Sequence, residues 1–510
     1  MEEIISNKNL IKEKDTIVVW LDFDAYSYFN FGAIIELAKL DKFDFIGIVT
    51  TKQDMSFFEH QKIISFKKLI YYPDCYIKKS DFDLEKLKKI EKKYELNLWL
   101  NVFTERSFYR YWTEFHNFNK EEIFTIIEKS ILFFIQILEE FKPKIILTQY
   151  IGENISNLLL HQIGEKMNIK TIMPVPMFIH NKIILSDNIV GTEIIDEYKK
   201  IIKNFEDISE NYSENYIKKE NLGQTLKIQE TYNPNILTLT QKINHYIKRI
   251  STNPEPIYKN KGKTRIKILK NKFQRYFEIR KRKKFLNLNS IKNIEDGNFI
   301  LFPMQSSPEA KVLTISPFYS NQVTLIENIA KSIPIDTILY VKEHPIQKTK
   351  LWRSVREYKE IISIPNVKLI HPSVNSQELI AKSKAIILIS GGTGFEALFY
   401  KKPVILFSDE IYQELSTVTK VLTFDKLHEN ISEAIKKFKF NIKEINALMK
   451  VIENKSISVP YFSMIKEGVK LSAIQRNEEN VKLTLQHFHK FHEKYEEYFK
   501  KYAKAVYSKF

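Results

Sequence analysis

The sequence predicts an α/β fold in which two doubly wound domains face a cleft, joined by a helical connector and followed by C-terminal helices. The 510 residues are enough for two or three domains, each with its own core. In both halves of the chain, near-continuous apolar runs alternate with helical stretches, a pattern typical of parallel sheets covered by helices on both faces. Only 12 Gly and 16 Pro occur, which disfavours linker-rich and many-turned all-β architectures.

The first alternation defines an N-terminal domain at residues 1–190. Its strand candidates include IVVWLD at 17–22, FIGIVT at 45–50 and KIILTQ at 144–149, each followed by a helical stretch. Such a series of strands and crossover helices predicts a doubly wound sheet.

A connector and a second domain follow. Residues 191–290 are polar, rich in Asn and Lys and poor in strand pattern, and predict a mostly helical, basic connector. A second alternation at 291–460 runs from FILFPM at 299–304 to PVILFS at 403–408. Residues 461–510 form C-terminal helices, whose aromatic stripe we expect to pack on the body of the protein.

The positive charge of the chain is concentrated in the connector. The whole chain carries 79 Lys and Arg against 62 acidic residues, a formal charge of +17. Residues 259–284 hold a dense run of Lys and Arg with Glu278 as their single acidic residue, and apolar residues recur among them at three- and four-residue steps. This pattern predicts either an amphipathic helix that docks on an anionic membrane or a solvated linker. The candidate docking residues are Lys272, Arg275, Arg280, Lys281, Arg282, Lys283 and Lys284.

Other partners and compartments are less consistent with the composition. The basic run has no accompanying finger spacing or RNA-binding signature, so we expect no nucleic acid partner. The single cysteine, Cys75, excludes an intramolecular disulfide and a thiolate zinc cluster. The first residues lack the apolar core of a signal peptide, and the run at 126–141 is too short and too charged to span a membrane. We therefore expect a cytoplasmic protein, with peripheral attachment to the inner face of the membrane as an open alternative.

The segment SGGTGFEALF at 390–399 is the strongest candidate for ligand binding. A buried strand ends at Ser390, and Gly391, Gly392 and Gly394 then form a turn into a helix, with Thr393 among them. Such a turn exposes backbone N–H groups at the positive end of a helix, which is a common phosphate site; the alternative is a purely structural tight turn.

Glu396 follows this turn in the predicted helix. Its carboxylate can accept hydrogen bonds from ribose hydroxyls of a nucleotide, or it can compensate the helix dipole in the first turn.

A second candidate segment is VKEHP at 341–345, at the end of another strand of the same domain. Lys342 and Glu343 are both candidate substrate contacts, and they point to opposite faces if the strand continues that far. His344 can offer a hydrogen bond to a phosphate of the same ligand, and Glu343 can bind a base or a sugar hydroxyl.

In the N-terminal domain, Asp22 and Asp24 follow the first strand. They can supply a general base or simply cap the next helix. Two carboxylates are too few for a hard cation, so we predict no metal site.

At these residues the sequence resembles the capsule polysaccharide biosynthesis family, whose characterised members are Kdo transferases with a GT-B fold. The similar segments are PMQSSPEA at 303–310, VKEHP, IPNVKLI at 364–370 and the strand-turn-helix up to PVILF. The resemblance implies a CMP-activated donor bound by the C-terminal domain and an acceptor bound by the N-terminal domain. By position, the nucleotide-contacting roles pass to His344 and to the Ser/Thr-Gly turn with Glu396, and His344 is the candidate catalytic group that stabilises the leaving phosphate. Gln305, in the first segment, is a further candidate for substrate binding. Lys401 stands where the family usually has glycine.

These observations predict a glycosyltransferase that moves a sugar from a nucleotide donor, without metal or further cofactor, to a glycan or lipid-linked acceptor of a surface polysaccharide. Kdo or a related sugar acid is the donor sugar that the resemblance implies. The alternatives are a UDP-sugar 2-epimerase, a CDP-polyol phosphotransferase of similar fold, or a non-catalytic scaffold at the membrane surface. Nucleotide preference distinguishes these possibilities.

Overall fold

A computed structural model describes residues 14–22, 25–77, 81–152, 154–204, 212, 255, 257–294, 298–350, 352–478 and 481–510. The chain folds into two α/β units, each with a mostly or wholly parallel sheet flanked by helices. The predicted fold class is thereby confirmed, because the strand order of each sheet is that of a doubly wound, Rossmann-like unit.

The first sheet contains seven strands in the order β3-β2-β1-β4-β5-β6-β13. The five from β3 to β5 are parallel, whereas β6 and β13 add antiparallel. Apolar runs such as TIVVWL favour buried parallel strands here. The strands are β1 Asp15–Leu21, β2 Phe43–Val49, β3 Lys68–Tyr71, β4 Ile145–Leu147, β5 Lys170–Pro176, β6 Lys182–Ser186 and β13 Ile457–Ser458.

Eight helices accompany the described strands of this unit. The longest, α6, begins with a capping box in which Asn119 and Glu122 satisfy each other's backbone N–H groups. The helices are α1 Ala25–Leu37, α2 Lys52–His60, α3 Asp74–Ile77, α4 Leu84–Lys93, α5 Leu98–Thr104, α6 Lys120–Phe141, α7 Ile155–Lys166 and α8 Thr192–Asn204.

The second sheet is parallel throughout, in the order β12-β11-β10-β7-β8-β9. Its strands are β7 Phe299–Pro303, β8 Ile338–Lys342, β9 Val367–Ile370, β10 Ala385–Leu388, β11 Val404–Leu406 and β12 Val418–Lys420. Its helices are α10 Ala310–Ile315, α11 Gln322–Ser332, α12 Val355–Ile362, α13 Ser376–Lys382, α14 Gly392–Phe399, α15 Leu427–Lys436 and α16 Ile442–Lys455.

The C-terminal helices, α17 Tyr461–Glu478 and α18 Val481–Tyr507, return to the first unit. The aromatic stripe of α18 packs on α1, where the Phe29 ring lies 5.7 Å from Phe499 and 5.1 Å from Tyr502 between centroids. Gly32 makes this contact possible, since a Cβ there would lie 2.5 Å from the Phe499 ring. The chain thus crosses from the first unit to the second and back.

The connector between the units includes a 3-10 turn, Tyr258–Asn260, and the 25-residue helix α9, Arg265–Asn289. Tyr258 is buried in the core of the first unit and Leu286 in that of the second. The connector is therefore anchored at both ends. Within the described residues, no helix is long and apolar enough to cross a membrane.

Candidate functional site

The strand order of each sheet reverses at one point, between β1 and β4 in the first unit and between β7 and β10 in the second. In open parallel sheets, ligands bind outside the carboxyl ends of the strands at such a switch point. Most of the residues singled out by the sequence lie at these two places.

Gln305 bridges the switch point of the second sheet. Its Nε2 donates to the Ser390 carbonyl at 2.5 Å and so joins the end of β7 to the end of β10. Its backbone N–H donates to Gln322 Oε1 at 2.8 Å, and Gln322 Nε2 returns a bond of 3.2 Å to the Gln305 carbonyl. Gln305 is therefore held on both sides and orients the glycine turn.

Glu343 has a different environment from the one predicted for a substrate contact. Its side chain is fully buried, and its Oε2 accepts hydrogen bonds from Arg353 Nε at 3.1 Å and Tyr358 Oη at 2.8 Å. Arg353 also donates to the Gln305 carbonyl at 2.5 Å. A carboxylate paired in this way positions its neighbours, and its burial leaves no exposed oxygen for the predicted contact with a base or sugar hydroxyl.

His344 lies at the same edge and is half-buried. Its backbone N–H donates to Glu343 Oε1 at 2.7 Å, and its Nδ1 accepts from the Ile346 N–H at 3.2 Å. Because Nδ1 accepts, the neutral ring carries its proton on Nε2 and can donate from there. The network thus brings Gln305, Glu343, His344 and Ser390 together, although β7 lies between β8 and β10.

Lys342 points away from Glu343, as the strand period predicts. Its Nζ lies 3.5 Å from the Pro372 carbonyl, and the side chain is buried. Burial lowers the pKa of Lys342 to about 8, against the opposing effect of the Glu343 carboxylate. The contact with substrate that the sequence predicts for Lys342 stays a prediction; in this closed environment the ammonium has a single distant acceptor within the described residues.

The glycine turn has a more specialised arrangement than a simple phosphate cradle. Gly391 adopts φ 105°, which favours glycine, and its N–H donates to Glu410 Oε1 at 2.7 Å. Glu410 is buried and also pairs with Lys311 Nζ at 2.6 Å. The Gly391 amide that the sequence assigned to a phosphate is therefore already bonded to a carboxylate.

Two more residues of this segment have packing roles. Gly394 lies against Tyr412, where a Cβ would approach the hydroxyl to 2.4 Å. Tyr412 in turn donates to the Gly391 carbonyl at 2.7 Å. Glu396 is buried in the second turn of α14, so the prediction that it meets a ribose at the helix end does not fit its position.

What remains available to an anion is the amino end of α14. Gly392 and Thr393 begin this helix, and first-turn N–H groups have no acceptor within their own helix. Gly391, at the cap position, provides no side chain to satisfy them. Ser390 Oγ is buried, and within the described part of the chain it has no hydrogen-bond partner. A buried hydroxyl beside a helix amino end is suited to receive a phosphate oxygen.

Asp22 occupies the corresponding place in the first sheet. Its carboxylate accepts from Thr50 Oγ1 at 2.7 Å, Gln149 Nε2 at 3.0 Å and Asn154 Nδ2 at 2.8 Å. These bonds join the ends of β1, β2 and β4. Asp24, the other predicted base, lies outside the described residues.

Asp54 is a second acidic residue at this edge. It is buried in the first turn of α2, and burial, with smaller contributions from Asp22 and Glu255, raises its pKa to about 7.

A cavity of about 850 Å³ lies between the two units. Arg353, Gln322 and Gln347 line it and also belong to the second switch point, since the Gln347 N–H donates to the His344 carbonyl at 2.9 Å. The candidate nucleotide site and the cavity are therefore contiguous.

The basic run is divided between two environments. Lys272, Arg275 and Arg282 line this cavity, and Arg282 donates to the Trp352 carbonyl at 3.1 Å. The seven cations predicted to dock on a membrane therefore lie on two sides of α9, and docking by them stays a prediction. The remaining candidates, exposed on α9, are Arg280, Lys281, Lys283 and Lys284.

Sequence reasoning missed Arg353 and Glu410. Glu410 follows β11 in the segment SDE, so the rule that parallel strands share a carboxyl edge would have located it. Arg353 lies in an irregular segment before α12 and has no periodic signal. Lys401, where the family usually has glycine, adopts φ 54°, a conformation that glycine reaches without strain.

The model of the family described as capsule polysaccharide biosynthesis protein matches residues 195–447, about half of the chain. This range includes the connector helix, Gln305, His344, the glycine turn and Glu410. No curated protein matches the chain.

Solved structures show only a distant likeness. The UDP-GlcNAc 2-epimerase from Methanocaldococcus jannaschii is 15% identical with a TM-score of 0.26, and the match covers 86% of this chain and 99% of that one. KpsC from Thermosulfurimonas dismutans, a beta Kdo 2,7 transferase, is 12% identical with a TM-score of 0.31, and the match covers 76% of this chain and 96% of that one. At such scores the fold assignment rests on the sheet topology itself.

Proposed function

We propose that this chain, a member of the capsule polysaccharide biosynthesis family through its residues 195–447, is a glycosyltransferase of surface-polysaccharide synthesis. It transfers a sugar from a nucleotide donor to a glycan or lipid-linked acceptor. The observation that carries the proposal is the hydrogen-bond network at the second switch point. It joins the His344 backbone to the Ser390 carbonyl through Glu343, Arg353 and Gln305, and Arg353 also lines the cavity between the units.

The donor's phosphate would lie at the amino end of α14. Gly392 and Thr393 offer backbone N–H groups there, Ser390 offers its buried hydroxyl, and the helix dipole favours a negative charge. The bond from Gln305 to the Ser390 carbonyl fixes this turn relative to β7. The donor site is thus prepared by the fold before the ligand arrives.

Catalysis would consist of stabilising the leaving group. As the glycosidic bond of the donor breaks, negative charge accumulates on the departing phosphate oxygen, and fixed donors aimed at that oxygen lower the barrier. His344 supplies such a donor through Nε2, while its Nδ1 is occupied by the Ile346 N–H. The ion pair of Glu343 and Arg353 holds His344 in place through the bond to its backbone N–H.

The finer proposal is a CMP-activated sugar acid such as Kdo as donor. The sequence resemblance at 303–310, 341–345 and 390–407 supports it. Turnover without a divalent cation is also proposed, because the helix end and His344 supply the stabilisation that a metal would otherwise provide. Asp22, at the first switch point, remains the candidate base for the acceptor.

A thermal-shift panel of CMP, CDP, UMP, UDP, GDP and ADP, with magnesium or with EDTA, tests the proposal on the wild type and on His344→Ala. We expect selective stabilisation by CMP in both buffers and a weaker response in the variant. Release of CMP from a CMP-sugar acid should fall about 100-fold in the variant while its melting temperature is retained. Preference for UDP would indicate the epimerase alternative, and no response to any nucleotide would favour a scaffold.

We also propose that the protein acts in the cytoplasm, at the surface of an anionic membrane. The outward side of α9 supports this, since Ile266, Phe273 and Phe277 are exposed there beside Arg280 and Lys284. Apolar side chains flanked by cations are typical of helices that lie in the membrane interface.

Sedimentation with vesicles tests membrane binding. Wild-type protein should co-sediment with vesicles that contain phosphatidylglycerol and remain in solution with phosphatidylcholine alone. Arg280→Glu combined with Lys284→Glu should abolish co-sedimentation. Equal sedimentation of variant and wild type would leave these residues without a role in docking.

A further inference from the structure

One short segment of the second unit, at 410–412, holds the peptide groups on both sides of Gly391. The Gly391 N–H donates to Glu410 Oε1 at 2.7 Å, and the Gly391 carbonyl accepts from Tyr412 Oη at 2.7 Å. A peptide group is planar and trans, so its N–H points in the direction opposite to its C=O. The bond from Tyr412 therefore also sets the direction of the Gly392 N–H, at the first position of α14.

A ring of the first unit supports this segment. Phe178 lies between β5 and β6, and its ring centroid is 5.8 Å from that of Tyr412 and 5.2 Å from that of Phe395 in α14. The Phe395 and Tyr412 centroids are 6.0 Å apart, so the three rings are in mutual contact at distances typical of favourable aromatic pairs. A side chain of the first unit thus packs directly on the residue that orients the Gly391 carbonyl.

Phe178 also reaches the other bond to Gly391. Lys311 Nζ is 2.6 Å from Glu410 Oε1, and it lies 5.7 Å from the centroid of the Phe178 ring. An ammonium group near an aromatic face is attracted by the negative charge of that face. Phe178 therefore contacts Tyr412 directly and Glu410 through Lys311.

The position of Phe178 is set by the first unit. The Met177 N–H donates to the Lys182 carbonyl at 2.9 Å, which closes the turn between β5 and β6. The Asn181 carbonyl in this turn accepts from the Val459 N–H at 2.8 Å, directly after β13. Because the turn is bonded on both sides, its half-buried ring is a fixed support for the second unit.

This contact is part of a core that both units share. One hydrophobic cluster contains Met173 and Val175 of β5 together with Leu388 of β10 and Leu406 of β11, and Phe178 packs against it. Strands β10 and β11 are the two that precede the glycine turn and the segment at 410–412. The first unit therefore packs on the elements that form the candidate donor site.

We infer that Phe178 is a positioning residue for the donor: through Tyr412 and through the Lys311–Glu410 pair, it holds the glycine turn in the orientation that presents the Gly392 N–H to a phosphate. The inference rests on the proposed function, which places the donor phosphate at the amino end of α14. It adds that this site depends on a residue of the first unit and is complete only while the two units are in contact.

Isothermal titration of the full chain with CMP, and with UDP in parallel, tests the inference. Phe178→Ala removes the support, and a turn that keeps the binding orientation for about a tenth of the time binds about tenfold more weakly. We therefore expect about tenfold weaker binding of CMP by Phe178→Ala, whereas Phe178→Tyr, which keeps the ring, should bind like wild type. The matched control is Phe82→Ala, at a half-buried ring that packs on Phe124 in the core of the first unit, and its affinity should not change.

A double-variant cycle distinguishes positioning from direct contact with the ligand. Tyr412→Phe removes one hydroxyl and keeps the ring, and we expect it also to weaken CMP binding because the Gly391 carbonyl loses its donor. Both changes release the same turn, so Phe178→Ala/Tyr412→Phe should lose clearly less affinity than the product of the two single losses. A product of the single losses would show that Phe178 acts independently of Tyr412.

Other results would also overturn the inference. These are wild-type affinity in Phe178→Ala or in Tyr412→Phe, an equal loss in Phe82→Ala, or a loss in Phe178→Tyr as large as in Phe178→Ala. The wild type separates this inference from the proposed function. If the wild type binds a nucleotide and Phe178→Ala binds it equally well, the inference alone is wrong; if the wild type binds neither CMP nor UDP, the proposed function is wrong.

Discussion

The two sheets share the strand order of a Rossmann-like unit, yet their switch points carry different chemistry. In the first, the carboxylate of Asp22 joins the strands through donors from Thr50, Gln149 and Asn154. In the second, the neutral amide of Gln305 joins them. The second edge also has the carboxylates of Glu343 and Glu410, but these are paired with Arg353 and Lys311. The Asp22 carboxylate instead accepts from neutral groups, and such a carboxylate disfavours a phosphate, so we expect the donor at the second sheet.

The helices that follow the two switch points also differ, in how the N–H groups at their amino ends are capped. Asn154 caps α7 with its own side chain, which accepts from the Asn157 N–H at 3.1 Å while also donating to Asp22. Gly391 precedes α14 and provides no side-chain cap. When a side chain of the protein already bonds the first-turn N–H groups of a helix, fewer of these groups are left for a ligand. The same topology therefore gives a capped helix end at the first switch point and an uncapped one at the second.

The largest expected effect comes from breaking the ion pair of the second switch point. Arg353→Met leaves the buried Glu343 carboxylate without its cation, and we expect the free energy of unfolding to fall by about 3–5 kcal/mol. Urea denaturation measures this change.

The double variant Arg353→Met/Glu343→Gln removes both charges and should recover part of the loss. Equal destabilisation by the single and double variants would contradict the assignment of the effect to an unpaired buried charge.

A second, somewhat smaller effect is expected at Lys342. Its pKa, lowered by burial to about 8, lies below the usual value of about 10.4 for the unfolded chain. Between these values the unfolded state binds more protons, so the penalty of the buried ammonium is complete below about pH 8 and disappears towards pH 10.4. This penalty lowers the free energy of unfolding by about 3 kcal/mol.

Lys342→Met should therefore be more stable than wild type at pH 7, and this advantage should shrink as the pH rises from 8 to 10. Urea midpoints of both proteins across this range measure it. Lys384→Met, at an exposed lysine of the same unit, serves as control and should show no such pH dependence. A constant difference for Lys342→Met would show that its pKa is not lowered.

The smallest effect is expected at the first switch point. Asp22→Asn replaces an acceptor by a group that turns an NH2 towards the donors Gln149 and Asn154, without leaving a charge unpaired. We expect the free energy of unfolding, measured by urea denaturation, to fall by about 1 kcal/mol. The affinity for CMP, measured by titration, should be unchanged. Weaker CMP binding would show that the donor binds at the first sheet, contrary to the comparison above. Lost turnover with intact CMP binding would identify Asp22 as the base.

The sequence predicted the positions of the two edges better than their chemistry. The rule that parallel strands share a carboxyl edge located Asp22, His344 and Ser390, because apolar runs mark the strands that precede them. It did not reveal that Glu343 faces Arg353 or that Gly391 donates to Glu410. Those partners are 10 and 19 residues away along the chain, in segments whose own pattern is irregular.

What the sequence determined by itself is the pair of doubly wound units, the position of the glycine turn and the concentration of positive charge at 259–284, since all three depend on local patterning of residue types. The tertiary structure alone decided which face of α9 meets the cavity, which carboxylates are paired, and that the C-terminal helices return to the first unit. These features depend on contacts between segments far apart in the chain, and no local pattern specifies such contacts because each is fixed only when the units pack together.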